Sequence, residues 1–174
     1  MISRPYINFA FGSNMSSQRL LARLPKAQCL GVAKLYQYQL TFNMLSTDGS
    51  AKCTIEKTGC DSDVVMGVLY ALDECEITKL DAIEGARYDR TTLEVEALEH
   101  GMVQAYSYIA NTFIDDHLPF DWYVQHVLNG ALEHRFSPAY VASIQAQSHI
   151  ADHNLERAQR EWLLYQSMQA KKNI

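Results

Sequence analysis

The feature that most constrains the fold is a segment near the N-terminus, INFAFGSNMSSQRLLARL. Ile7, Phe9 and Phe11 alternate with smaller or polar residues, which is the period-two pattern of a β-strand. Gly12-Ser13-Asn14 then interrupts the pattern, and leucines at helical spacing continue to Pro25. Because Ser and Asn favour helix N-caps, the sequence predicts a strand, a tight turn, and a helix that starts at the turn residues.

A turn of this kind can bind an anion, because the first amides of a helix lack partners and the helix dipole favours negative charge. We expect it to suit a carboxylate, a phosphate or a developing oxyanion. It is not a nucleotide P-loop, since the four-residue spacer between glycines and the following Lys are absent. An ordinary capped turn without a ligand is the alternative.

Length and composition favour one globular domain over residues 1–174, of which 48% are apolar. The net charge of -5 argues against general binding to nucleic acid or anionic membranes, and no apolar run reaches the roughly 20 residues of a membrane helix. Cysteines without a C-x-x-C pair indicate reduced thiols and a cytoplasmic location. They are Cys29, Cys53, Cys60 and Cys75.

Strands dominate the first part of the chain. Residues 29–45 read as one long strand, and Val64–Leu72 is apolar enough to be buried on both faces, with Gly67 indicating a bulge or a close backbone approach. Asp73 and Glu76 have the spacing of a capping box for a helix that ends at Gly85.

The rest of the chain turns from strand to helix. Residues 89–98 and 102–110 predict a β-hairpin, and helical patterns follow from about 119, from Ser137-Pro138 and from about 155. Strands first and helices last favour an α+β fold over a doubly wound sheet.

Glu84 is the strongest candidate for proton transfer. It lies in the last helical turn, where the negative end of the dipole disfavours a carboxylate, and burial against apolar walls would raise its pKa towards neutrality. Such a group can accept and return a proton, whereas a solvated surface Glu is the alternative. Ser13 could be a nucleophile, but the sequence places no His or Asp to activate it. His149 and His153 have a spacing that could bind zinc on a helix, but a zinc site would need a third ligand.

Several segments together resemble the gamma-glutamylcyclotransferase family of the AIG2-like group. That family begins with a strand and a Tyr-Gly-Ser-Asn loop, in which Phe11 here replaces the tyrosine. It places its general acid/base in a Leu-Asp-x-x-Glu-Gly segment, which Leu80–Gly85 matches. The other matches are short motifs containing Tyr, Gly, Glu or Pro: Tyr88, Ser107-Tyr108, Tyr123, Gly130-Ala131, Glu133, Pro138 and Tyr140.

The resemblance implies a small, mixed, barrel-like β-sheet with flanking helices, Glu84 as the catalytic residue, and neither metal nor organic cofactor. The implied partner is a small γ-glutamyl substrate, and a homodimer is left open. The implied substrate-binding residues are Phe11, Gly12, Ser13, Asn14, Met15, Tyr88, Tyr108 and Tyr123. One geometric point is open: if Leu93 faces the core, Tyr88 faces the other way unless a bulge intervenes.

The implied activity is cyclisation of a γ-glutamyl compound to 5-oxoproline with release of an amino acid or an amine. The short connection from Gly85 to Tyr88 is similar to that of the gamma-glutamylamine branch, so the leaving group is open. The alternative function is a non-catalytic binder of a γ-glutamyl or other acidic metabolite. An interaction domain would instead leave the loop and Glu84 far apart.

Overall fold

The computed structural model describes residues 5–171, with side chains as far as Tyr165, so the ends of the predicted domain 1–174 lie outside the described residues. The strands are β1 (Tyr6–Ala10), β2 (Gln28–Tyr36), β3 (Tyr38–Leu45), β4 (Ala51–Lys57), β5 (Val64–Leu72), β6 (Tyr88–Ala97) and β7 (Gly101–Ala110). The α-helices are α1 (Ser17–Arg23), α2 (Glu74–Glu84), α3 (Asp121–Glu133), α4 (Pro138–Gln145) and α5 (Leu155–Lys171).

Five strands close into a barrel in the order β1-β5-β2-β6-β7, while β3 and β4 form a separate two-stranded ribbon. All registered barrel pairs are antiparallel except the join of β1 to β7, which is parallel. The predicted α+β class, with a mixed barrel-like sheet and flanking helices, is therefore confirmed. Among the described residues, no helix is both long and apolar enough to cross a membrane.

The single long strand predicted for residues 29–45 is wrong. Gln37 has φ 65, a left-handed conformation, and the chain passes there from the barrel to the ribbon. The Gln37 N–H donates to the carbonyl of Asp63 at 2.8 Å, and its carbonyl accepts from the N–H of Thr58 at 2.8 Å. These two bonds hold a conformation that a residue other than glycine rarely adopts.

The close approach predicted at Gly67 is confirmed. A Cβ built at Gly67 would lie 2.4 Å from Cε2 of Phe9 and 2.6 Å from the carbonyl oxygen of Ala10. Real side chains do not tolerate such distances, so only glycine lets β5 support the aromatic end of β1. The packing of β1 on β5 therefore fixes the position of the strand that leads into the Gly12-Ser13-Asn14 loop.

The start of α2 has only half of the predicted capping box. Asp73 caps the helix by accepting from the N–H of Glu76 at 2.8 Å. The Glu76 carboxylate does not return to Asp73 but accepts from the N–H of Lys26 at 2.6 Å. Gly85, with φ 69, ends the helix as expected and directs the chain into β6.

The predicted helix start at Gly12-Ser13-Asn14 is also wrong. Ser13–Met15 forms a separate turn of 3₁₀-helix, and Ser16 is the N-cap of α1. The anion-binding argument therefore depends on amides of the 3₁₀ turn rather than on the dipole of α1.

The register of β6 with β7 resolves the orientation of Tyr88. Pairing runs from Tyr88 with Ala110 to Ala97 with Gly101 without a shift, so no bulge intervenes. Leu93 is buried in the core, and Tyr88, five residues earlier, lies on the opposite, outer face. There its hydroxyl donates to the carbonyl of Cys53 at 2.9 Å, so the β3-β4 ribbon covers it.

Candidate active site

A small pocket lies where β1 and β7 diverge. The two strands share one registered pair, Asn8 with Tyr106. Two side-chain hydrogen bonds also link them: Nδ2 of Asn8 donates to the carbonyl of Tyr106 at 3.2 Å, and the hydroxyl of Ser107 donates to the carbonyl of Phe9 at 2.7 Å. The residues that line the pocket are Asn8, Phe9, Ala10, Phe11, Gly12, Ser13, Asn14, Cys53, Glu84, Tyr88, Ser107, Tyr108 and Tyr123.

The structure thus brings the sequence-predicted residues to one place, with one exception. Met15 does not line the pocket, and its side chain is fully buried. Its N–H donates to the carbonyl of Gly12 at 3.0 Å and closes the 3₁₀ turn. The contribution of Met15 is therefore to shape the loop, and its amide is not free to bind a substrate.

Asn14 connects Glu84 to a buried arginine. Its side-chain N–H donates to Oε1 of Glu84 at 2.9 Å, and its Oδ1 accepts from Nη1 of Arg23 at 3.1 Å. Because a guanidinium only donates, Oδ1 must face Arg23 and the amide nitrogen must face the carboxylate. The two bonds together fix the orientation of Glu84 across 70 residues of sequence.

The electrostatics of Glu84 suit proton transfer. Burial raises the pKa of its carboxyl above the ordinary value of 4.5, while Arg23 and the hydrogen bond from Asn14 oppose the rise. A carboxyl group whose pKa is moved towards neutrality can accept a proton and then return it. Glu84 is the last residue of α2, as the sequence predicted.

The loop offers donors as well as a carboxylate neighbour. In the described part of the chain, no hydrogen bond uses the N–H groups of Gly12, Ser13 or Asn14. Neighbouring amides in a turn form a concave site for an oxyanion or a carboxylate. A Cβ at Gly12 would lie 3.1 Å from Cβ of Cys53, so a larger residue there would press on the pocket wall.

Helix α3 holds the loop from behind. A Cβ at Gly130 would lie 2.5 Å from Cβ of Met15 and 2.7 Å from the nitrogen of Ser16, so the helix approaches closely only because this residue is glycine. Oε2 of Glu133 accepts from the N–H of Ser17 at 3.1 Å, at the start of α1. These contacts give the Gly130-Ala131 and Glu133 motif a structural role under the loop.

Two tyrosines are anchored to the same residue of the ribbon. Tyr88 donates to the carbonyl of Cys53, and the N–H of Cys53 donates to the hydroxyl oxygen of Tyr123 at 3.0 Å. Burial raises the pKa of both phenols, so they stay neutral and can act as hydrogen-bond groups.

Asp81 anchors the third tyrosine and was not assigned a role from the sequence. Its Oδ1 accepts from the hydroxyl of Tyr108 at 2.7 Å, and its Oδ2 accepts from Nη1 of Arg90 at 2.9 Å. The signal was present, because Asp81 lies one helical turn before Glu84 in the Leu-Asp-x-x-Glu-Gly segment.

Cys53 also lines the pocket without having been predicted there, and no local pattern of the sequence marks it. Burial raises the pKa of its thiol well above the ordinary value, so it is not a thiolate at neutral pH. No histidine lines the pocket among the described residues. Among the described side chains, no group of three or more His, Cys, Asp or Glu could hold a metal ion.

Comparison with known proteins finds similar sequences. Residues 64–144 match the model of the AIG2-like family. A mouse protein named gamma-glutamylcyclotransferase is 26% identical over 149 residues, which are 81% of this chain and 78% of that protein.

Solved structures share the fold. One named gamma-glutamyl cyclotransferase has a TM-score of 0.77 at 22% identity and covers 88% of this chain and 96% of its own. An uncharacterized human protein has the same TM-score and identity and covers 90% of this chain and 98% of its own. The matched region and the shared fold confirm the resemblance of this chain to the AIG2-like, gamma-glutamylcyclotransferase-like family.

Proposed function

We propose that this protein is a gamma-glutamylcyclotransferase-type enzyme that releases 5-oxoproline and an amino acid or amine from a γ-glutamyl substrate. The observation that carries the proposal is the position of Glu84. Its carboxylate, with a raised pKa, lies 2.9 Å from the side chain of Asn14, in the same pocket as the free amides of the loop. A proton-cycling group and an anion-binding turn are thus available to one small substrate.

The substrate supplies its own nucleophile. Its α-amine nitrogen attacks the γ-carbonyl carbon, so one carbon–nitrogen bond forms and closes a five-membered lactam. The bond from that carbon to the leaving nitrogen breaks. The α-ammonium nitrogen loses two protons on becoming the lactam N–H, one before and one after its attack, and the leaving nitrogen gains two on its release as an ammonium group. Glu84 accepts and returns these protons in turn, so the carboxylate ends as it began.

The loop and the tyrosines would hold the substrate folded for this attack. The amides of Gly12, Ser13 and Asn14 would bind a substrate carboxylate or the oxyanion that develops on the γ-carbonyl. Tyr88, Tyr108 and Tyr123 would wall the pocket. Bringing the two reacting atoms together lowers a barrier by roughly 7–11 kcal/mol in the best intramolecular cases.

The absence of an activated nucleophile in the pocket supports a mechanism of this kind. Among the described lining residues, Cys53 is a neutral thiol and Ser13 has no histidine or carboxylate as a hydrogen-bond partner. A covalent acyl-enzyme needs an activated serine or thiolate. Intramolecular attack by the substrate amine needs neither.

A panel of γ-glutamyl amino acids and amines, read out as 5-oxoproline, tests the proposal. We expect time-dependent 5-oxoproline and an equal amount of the leaving amine from at least one compound. Binding without any 5-oxoproline would instead support the non-catalytic binder.

Four free thiols agree with the cytoplasmic location that forms part of the proposal.

A further inference from the structure

Helix α5 docks on the domain along one half-buried face, and a charged residue lies in the middle of that face. The half-buried side chains are Arg157, Ala158, Glu161, Leu164 and Tyr165. Oε2 of Glu161 pairs with Nη1 of the buried Arg19 on α1 and lies 2.9 Å from Nε2 of His126 on α3. Replacing a buried ion pair by apolar residues often costs no stability, so docking alone does not require these charges.

Arg19 connects this contact to the active site. It lines, together with Glu84, a larger cleft beside the pocket, and Arg23 lies in the same cleft one helical turn further along α1. Like charges four residues apart on a helix repel each other, and burial and Arg19 lower the pKa of Arg23. Arg23 donates to Asn14, and the amide of Asn14 donates to Glu84. A contact made by α5 therefore acts on the charge next to Glu84.

Glu161 is the only carboxylate that pairs with Arg19 among the described residues. With this pair intact, the two arginines of α1 and Glu161 together carry one net positive charge, whereas the arginines alone would carry two. His126 does not alter this balance, because burial lowers its pKa to about 4 and the imidazole is neutral above that pH.

We infer that Glu161 is a positioning residue for the reaction: by neutralising Arg19, it keeps Glu84 a strong enough base to take a proton from the substrate. This inference depends on the proposed function. Burial raises the pKa of Glu84, while Arg23, the hydrogen bond from Asn14 and Arg19 oppose the rise. An unpaired Arg19 would favour the ionised form of Glu84 further, and a weaker base transfers a proton more slowly.

The other titratable groups near Glu84 are independent of Glu161. Three charged groups have partners of their own: Lys52, Arg87 and Asp81. Burial raises the pKa of the thiol and the phenols of the pocket, so these groups are neutral: Cys53, Tyr88, Tyr108 and Tyr123. We therefore expect an effect of Glu161 on Glu84 to pass through Arg19.

The titration of Glu84 tests this inference without turnover. It is followed by carbon-13 NMR of the side-chain carboxyl groups, and Glu84→Gln identifies the signal. In Glu161→Gln an acceptor for Arg19 remains, and we expect a folded protein in which Glu84 titrates at a lower pH than in the wild type. The matched control is Glu156→Gln, which removes the same charge from an exposed position in the first turn of α5 and should leave the titration unchanged.

Three further variants separate the charge of Glu161 from the docking of α5. Glu161→Asp keeps the charge and should keep the wild-type titration. Arg19→Gln should move the titration of Glu84 to higher pH, and this arm decides the question if Glu161→Gln does not fold. The double variant Arg19→Gln/Glu161→Gln should not titrate below the wild type. If it titrates as low as Glu161→Gln, or if both single Gln variants leave the midpoint unchanged, the inference is wrong.

Kinetics separates this inference from the proposed function. In Glu161→Gln the acid limb of kcat/KM should move to lower pH, so that the rate on that limb, relative to the plateau, rises about two- to tenfold. On the plateau kcat should fall about two- to threefold, and KM should change little because the loop amides are the proposed anchor. If the wild type makes no 5-oxoproline, the cyclisation fails and the NMR titration still decides the role of Glu161. If the wild type is active and Glu161→Gln has its pH profile, only the inference about Glu161 fails.

Discussion

Replacing Glu84 by Gln removes the one carboxylate among the described residues that line the pocket, while it keeps the size and shape of the side chain. If Glu84 moves the proton, 5-oxoproline formation should fall by about 10²–10⁴-fold, the usual contribution of general acid–base catalysis. That loss corresponds to about 2.7–5.4 kcal/mol of barrier, at roughly 1.36 kcal/mol per tenfold. Substrate binding should change much less, since the loop amides are the proposed anchor.

The structure predicts that this variant folds. The Oε1 atom of Gln can still accept from the Asn14 side chain, so the variant can keep the hydrogen bond that Asn14 donates to Glu84 at 2.9 Å. Burial raises the pKa of Glu84, so the charged form is disfavoured in the fold and a neutral amide relieves that cost. The lost attraction to Arg23 acts in the opposite direction, and we expect a net change of about 1 kcal/mol or less.

The pH dependence provides a second readout. The raised pKa of Glu84 contributes stability that is present below its unfolded value of 4.5 and is lost as pH rises through the folded value. The Gln variant should lack this loss. In contrast, wild-type kcat/KM should rise with pH over the same window, because only the ionised carboxylate can accept a proton.

The assay is 5-oxoproline release measured by mass spectrometry on the wild type, Glu84→Gln and the control Glu99→Gln. Glu99 is exposed in the turn after the far end of β6, so its neutralisation should not change the rate. If folded Glu84→Gln retains the wild-type rate, another group moves the proton and the assignment of Glu84 is wrong.

Three further outcomes follow from the packing and the titrating groups. Gly67→Ala should lower the free energy of unfolding in urea by about 1–3 kcal/mol, because the new Cβ would overlap the ring of Phe9; a loss below about 0.5 kcal/mol would contradict this. Burial lowers the pKa of His126 to about 4, so the free energy of unfolding should fall as pH drops from 6.5 to 4, by up to about 1.4 kcal/mol per pH unit. In His126→Gln this fall should be smaller. A reducing agent should leave the Tm unchanged because the cysteines are free thiols; a native disulfide found by mass spectrometry would refute this.

The sequence predicted those parts of the fold that depend on local chemistry. The hairpin of β6 and β7, the ends of α2 and the buried strand β5 follow from turn residues, caps and apolar runs. The meeting of Glu84 with the loop could be expected only through the family resemblance, since 70 residues separate Asn14 from Glu84 and neither segment alone indicates the other.

Other features depend on contacts between distant segments and had no local signal. The break at Gln37 is held by Asp63 and Thr58, and an ordinary polar residue there does not mark a left-handed position. The role of Cys53 exists only because the ribbon folds over Tyr88 and Tyr123.

A larger cleft beside the pocket is lined by cations from α1, β4 and the turn after α2, so no single stretch of sequence shows it. Arg23 lies at the end of α1, where a basic residue is ordinary, and Arg87 lies in the short turn before β6. Their common environment became apparent only in the folded chain.

The most direct test of the central claim is an isotope experiment that asks which atom attacks the γ-carbonyl. Wild-type protein is incubated with γ-glutamyl-alanine in water enriched in ¹⁸O, and the products are identified by mass spectrometry. Attack by the substrate's own amine predicts 5-oxoproline without ¹⁸O and an equal amount of alanine. Glutamate that carries ¹⁸O would show that water attacks instead, and it would contradict the cyclisation.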